Sequence, residues 1–166
     1  MPELRLEVPA ASSMEALGRR LGALLRRGDL VVLSGELGAG KTTLTRGIGE
    51  GMGVRGPITS PTFVLSRVHP SIGGAGVPLV HVDAYRLGSA RELDDLDLDF
   101  DGAAVVVEWG EGLLDGVAES WLELRIDRSQ ASPADAPAED DEVVNDPRTV
   151  TVAGHGPRWA SLEGLA

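Results

Sequence analysis

The chain has no cysteine, a single lysine, a single tyrosine and only two phenylalanines among its 166 residues. Without cysteine there is no disulfide framework and no thiolate metal site, which fits a cytoplasmic enzyme. No apolar run approaches the ~20 residues of a membrane-spanning helix. The N-terminus alternates charged and apolar side chains and carries no secretory leader pattern. Cations are scarce: 15 Lys and Arg stand against 26 Asp and Glu, a formal net charge of -11 with a pI near 4.6. Such a surface repels a polyphosphate backbone, so if the protein serves a nucleic-acid pathway, a partner is expected to hold the nucleic acid. Asn145 is the only asparagine. An Asn-Lys-x-Asp guanine-reading motif is therefore impossible, which argues against a GTPase. No Leu-Ser-Gly-Gly-Gln signature of transporter ATPases occurs either. The three histidines, His69, His81 and His155, lack metal-ligand spacing, and His81, alternating with apolar strand neighbours, reads as structural.

What remains is ordinary for a globular protein: 42% hydrophobic and 25% charged residues, in a length that suits one domain (residues 1–166) with a single core. Within it the one lysine stands out, since the other 14 of the 15 basic residues are arginines. A lysine kept where arginine is the habitual cation points to work a guanidinium cannot do. A compact ammonium on a thin stem threads under a loop, whereas a planar fork is wide and seeks bidentate partners. Lys41 lies in Gly35-Glu36-Leu37-Gly38-Ala39-Gly40-Lys41-Thr42-Thr43, which has the Gly-x4-Gly-Lys-[Ser/Thr] spacing of a phosphate-binding P-loop. Successive backbone N–H groups of such a loop cradle phosphates, and the next helix adds its positive end. Gly35, Gly38 and Gly40 permit the tight wrap. Lys41 is expected to reach the β- and γ-phosphates, and the Thr42 hydroxyl to ligate Mg²⁺.

The flanks supply the strand–loop–helix context. Residues 4–8 read as a strand. Ser12-x-x-Glu15 has the form of a capping box opening a helix with Leu17, Leu21, Leu24 and Leu25 at helical spacing, ending near Gly28. Residues 30–33 are a short apolar run expected as a buried parallel strand, and residues 41–48 as the helix after the loop. Further strands are expected at 62–68, 79–83, 103–107, 121–126 and 149–152, with a loop at 51–61, a hairpin connection at 69–77 and a short acidic helix at 89–96. The pattern predicts an α/β fold with a largely parallel central sheet flanked by helices and some antiparallel strands. Residues 129–147 are rich in Ala, Pro and acids and are expected to form an acidic surface loop.

A P-loop site also needs an acid for the metal and one to position water. Asp83 ends Leu79-Val80-His81-Val82-Asp83, and Glu108 ends Ala103-Ala104-Val105-Val106-Val107-Glu108. Both are expected at the carboxyl edge of the sheet, where ligands of open α/β sheets bind. Spacing does not divide the two roles between them. Ser60-Pro61-Thr62-Phe63 lies where a nucleotide-sensing loop would sit, with a hydroxyl for Mg²⁺ or the γ-phosphate. Trp109 fits either the nucleotide's edge or the core.

Together, residues 35–43, Ser60-Pro61-Thr62-Phe63, His81-Val82-Asp83-Ala84-Tyr85-Arg86-Leu87 and Val107-Glu108-Trp109 resemble the TsaE family, in order over about residues 13 to 111. Leu17-Gly18-Arg19-Arg20-Leu21 fits the family's first helix. The resemblance implies a P-loop ATPase of tRNA threonylcarbamoyladenosine biosynthesis that works with the TsaB and TsaD proteins. It implies ATP and Mg²⁺ as cofactors, Lys41 as the phosphate lysine, Thr42 and Glu108 as the Mg²⁺ positions, and Asp83 as the acid required for hydrolysis. Thr62 falls in the switch-like loop and Trp109 near the nucleotide. Two positions depart from the family pattern: Gly110 replaces the usual proline, and Met14 stands where a threonine near the adenine is common. The reading is thus a Mg²⁺-dependent ATPase, slow alone and stimulated by partners, that meets tRNA only through them. A small-molecule P-loop kinase and a non-catalytic nucleotide-binding adaptor are the alternatives.

Overall fold

A computed structural model describes residues 3–35, 40–54, 66–72, 76–83, 101–108, 119–128 and 147–165. They form a seven-stranded mixed sheet with two α-helices. The strands are β1 (Glu3–Val8), β2 (Leu30–Gly35), β3 (Ser66–His69), β4 (Leu79–Asp83), β5 (Ala104–Glu108), β6 (Trp121–Arg128) and β7 (Arg148–His155), and the helices are α1 (Ala11–Leu24) and α2 (Lys41–Met52). The strand order is β1-β7-β6-β2-β5-β4-β3. The central strands β6, β2, β5 and β4 run parallel, and the outer pairings β1–β7, β7–β6 and β4–β3 are antiparallel. This is the mixed α/β sheet that the sequence predicts. The antiparallel β3–β4 pair, Ser66↔Val82 to His69↔Leu79, bears out the hairpin between them.

Parallel strands read as near-continuous apolar runs because both faces are covered. Val31, Leu33, Leu79, Val106, Leu122 and Leu124 point to one face and join the side chains of α1 and α2 in the main core. Leu30, Val32, Val80, Val82, Val105 and Val107, on the other face, are no more than 3% exposed.

Helix α1 differs from the sequence reading at both ends. Ala10, not Ser12, is its N-cap and offers no side-chain cap, so Ser12 already lies inside the helix and no capping box forms. Leu25 turns to an extended backbone at the C-cap, ending the helix before Arg26 and Arg27 and short of Gly28. Helix α2 runs past residue 48 to Met52, and Gly53 at φ 73° closes it, a left-handed C-terminal residue that glycine adopts without penalty. The strand expected at 62–68 is described only from Ser66. The acidic helix at 89–96 and all but the last residue of the 129–147 stretch lie outside the described residues.

The contact between α1 and α2 was not anticipated from the sequence. Gly18 and Gly22 of α1 face Gly47 and Gly51 of α2, four residues apart on each helix, and the backbones touch. A Cβ on Gly18 would stand 2.3 Å from the Leu44 carbonyl oxygen, and one on Gly47 would stand 2.3 Å from that of Glu15. The helix that follows the phosphate loop is therefore seated directly on α1. At the opposite edge of the sheet from that loop, Asp29 takes two hydrogen bonds from Arg158, at 3.0 Å each, and Arg158 also donates to the Leu24 carbonyl at 2.8 Å. These bonds fasten the C-terminal segment beneath the start of β2.

Candidate nucleotide site

Strands β2, β5 and β4 are adjacent and parallel, so their carboxyl ends share one edge of the sheet. Register then places the functional side chains. Leu33 pairs with Glu108 and Glu108 with Asp83, and partners in parallel strands project to the same face. That face is the one on which α1 and α2 lie. Asp83 and Glu108 are therefore lateral neighbours on strands about 4.8 Å apart, at the edge where β2 runs out into the glycine-rich loop.

Like charges directly opposite one another on neighbouring strands destabilise a sheet, so this pair calls for a cation. One is present. Lys41, the first residue of α2, is 5% exposed, and its ammonium Nζ donates to the Gly35 carbonyl at 2.8 Å, across the mouth of the loop. Burial pushes this ammonium below the usual lysine range, while the charges of Glu108 and then Asp83 pull the other way and offset only part of the effect. The side chain is thus held, desolvated, between a strand-end carbonyl and two acids.

The loop's boundaries are set by backbone that other residues rarely adopt. Gly35 has φ 149° and Gly40 φ 116°. No side chain caps α2, and its first turn contains no acid, so the unsatisfied N–H groups and positive end of the helix are left for an anion. Thr42 and Thr43 occupy that first turn, half-buried. Met14 is 3% exposed and packs its methyl group toward Gly40, 3.3 Å from where a Cβ would be. It is a residue of the main core. Arg148, at the start of β7, stands on the same sheet edge two strands from β2.

The structure thus brings together Gly35, Gly40, Lys41, Thr42, Thr43, Asp83 and Glu108. Glu36, Leu37, Gly38, Ala39, Thr62 and Trp109, as well as Ser60, Phe63, Arg86 and Gly110, lie outside the described residues. Met14, noted in the sequence where a family threonine is common, is a core residue beside Gly40. One feature escaped the sequence reading. His81, read as structural, is completely buried with its Nε2 2.5 Å from Oε2 of Glu108. Its even spacing from Asp83 was the available signal.

The donor set fits Mg²⁺. Among the described residues no three His, Cys, Asp or Glu side chains converge into a metal cage. Mg²⁺ takes one or two protein oxygens beside phosphates and water, and hard oxygens are what this edge offers. Thr42 and the acid pair are the residues able to contribute.

The family model for the threonylcarbamoyl adenosine biosynthesis protein TsaE matches residues 8–135. The chain belongs to the TsaE family. TsaE from Streptomyces coelicolor, a tRNA threonylcarbamoyladenosine biosynthesis protein, is 60% identical over 90% of this chain and 96% of its own. The Bacillus subtilis TsaE is 32% identical over 98% and 92% respectively. A crystal structure of Bacillus subtilis YdiB superposes with a TM-score of 0.69 at 28% identity, covering 99% of this chain and 91% of that one. TsaE membership makes this a nucleotide-binding protein of tRNA threonylcarbamoyladenosine biosynthesis. No helix among the described residues is long and apolar enough to cross a membrane.

Proposed function

We propose that this TsaE-family protein binds and hydrolyses ATP and acts as a nucleotide-dependent switch on a cytoplasmic TsaB–TsaD complex. The observation that carries the reading is the lateral Asp83–Glu108 pair facing a buried Lys41 where three parallel strands end at the loop. The residues from Gly35 to Thr43, with Thr62 and Trp109, form the nucleotide site in this reading. Lys41 exchanges the Gly35 carbonyl for β- and γ-phosphate oxygens, and backbone N–H groups at the start of α2 receive the remaining negative charge. Thr42 and Glu108 would hold Mg²⁺, which would supply positive charge against the phosphates. Asp83, the neighbouring acid, orients the attacking water. Catalysis of this kind is positioning and electrostatics rather than covalent chemistry. Hydrolysis by the isolated chain is expected to be slow, because the sequence motifs include no evident arginine finger.

The test is phosphate release with and without the TsaB–TsaD pair, on wild type and on Asp83→Ala and Glu108→Ala separately. Expected are stimulation by the pair, and loss of turnover by about 10²–10³ in either variant. Asp83→Ala should keep Mg²⁺-dependent ATP affinity, and Glu108→Ala should lose it. Fast turnover without partners would refute the switch, and label appearing on a metabolite instead of as free phosphate would make the protein a kinase.

The net charge of -11 bears on the substrate side. If partners carry the tRNA, the chain alone should not retard tRNA in a gel at moderate salt. A tight direct complex would overturn that part of the reading.

A further inference from the structure

His81 lies on β4 one row inward from the acid pair, at the position that pairs with Val106. On this face of the sheet its lateral partners are Val106 on β5 and Arg67 on β3, and the ring is completely buried. Folding alone gives no reason for an imidazole here. A leucine or valine would extend the apolar row through Val106 and Val31, whereas His81 has a buried Nδ1 with no hydrogen-bond partner among the described residues, an arrangement that costs about 1–3 kcal/mol. The other ring nitrogen, Nε2, is committed to Oε2 of Glu108, which is itself only 4% exposed. Glu108 stands diagonally across the strand pair from His81, and this bond restrains rotation of its carboxylate.

We propose that His81 is a positioning residue: its Nε2–H clamps one oxygen of Glu108 so that the carboxylate meets the nucleotide-bound divalent cation in a single orientation. The inference rests on the reading of Glu108 as a metal-facing acid and adds what holds that acid in place. Partners that orient a ligand in this way commonly change metal affinity by roughly 10–100-fold when removed.

The experiment measures Mn²⁺ binding to the protein–ATP-analogue complex by electron paramagnetic resonance, with thermal unfolding and metal-free nucleotide binding recorded in parallel. The variants are His81→Leu, His81→Phe, His81→Gln and Glu108→Gln. The two apolar variants remove the donor, and should one fail to fold, the other carries the test. Glutamine returns an N–H near the place of Nε2. The expected result is Mn²⁺ affinity weakened by about tenfold or more in the apolar variants, unchanged nucleotide binding in EDTA, and substantial recovery in His81→Gln. Folded apolar variants with wild-type Mn²⁺ affinity, or a glutamine variant as weak as they are, would overturn the clamp. If Glu108→Gln weakens Mn²⁺ binding while the His81 variants do not, the clamp alone falls. If Glu108→Gln has no effect, the assignment of Glu108 to the metal falls, and the clamp with it.

Discussion

Lys41→Arg should bind ATP at least about a hundredfold more weakly than wild type, a loss of roughly 2.8 kcal/mol at 1.4 kcal/mol per tenfold, although it conserves the charge. The wild-type ammonium is 5% exposed and reaches Gly35 by a single 2.8 Å hydrogen bond, beside two acids. A guanidinium is planar, wider, and spreads five donors over a rigid fork. It cannot take the place of one nearly buried point charge 2.8 Å from the Gly35 carbonyl without displacing its surroundings. It would also find the Asp83–Glu108 pair a better bidentate partner than a phosphate, locking the site against nucleotide. A titration with fluorescent ATP analogue, alongside a circular-dichroism check of folding, measures the effect. Near-normal binding and turnover would end the argument from the lone lysine.

Gly47→Ala is the second large effect, and two principles disagree about its sign. Inside a helix, alanine is favoured over glycine by about 0.8–1.0 kcal/mol. Against this, the new Cβ would lie 2.3 Å from the Glu15 carbonyl oxygen and 3.0 Å from the Gly18 Cα. Both atoms are backbone of the facing helix, so nothing flexible can yield, and α1 and α2 must separate. Overpacking of this kind typically costs about 1–3 kcal/mol and at times more. The close backbone contact puts this site at the upper end, so the net result is destabilisation. It should appear as a lower urea midpoint with unchanged slope, and as weaker ATP binding, since α2 begins at Lys41. Gly18→Ala should act alike, and the double variant should lose less than the sum, because both widen one gap. A Gly47→Ala protein more stable than wild type by about 1 kcal/mol would show that the helices do not meet as described.

The site was legible in outline because its determinants are local. A glycine-rich spacing, a lysine and a threonine define a backbone cradle within nine consecutive residues, and an apolar run ending in an acid announces a strand with its carboxylate at the edge. The family resemblance drawn from those motifs agrees with the family model and with the relatives. Errors fell where local patterns compete. Ser12 and Glu15 have the spacing of a capping box, yet the chain enters α1 two residues earlier, and packing of Met14, Leu17 and Leu21 outweighs a cap of about 1 kcal/mol. Helix α2 was read as ending before Gly51 because glycine disfavours helices. It continues because that glycine allows close contact with Arg19 of α1.

Chemistry carried by neighbours in the chain, then, could be read from the order of residues: the P-loop spacing, its lysine, two acids closing apolar runs and a net charge of -11. Chemistry carried by neighbours across the sheet could not. That Asp83 and Glu108 stand side by side follows from a parallel register joining segments 25 residues apart. That His81 holds Glu108, and that four glycines bring α1 and α2 into backbone contact, follow from the same kind of long-range pairing. Register and helix approach depend on how the whole core closes, and no window of consecutive residues contains that information.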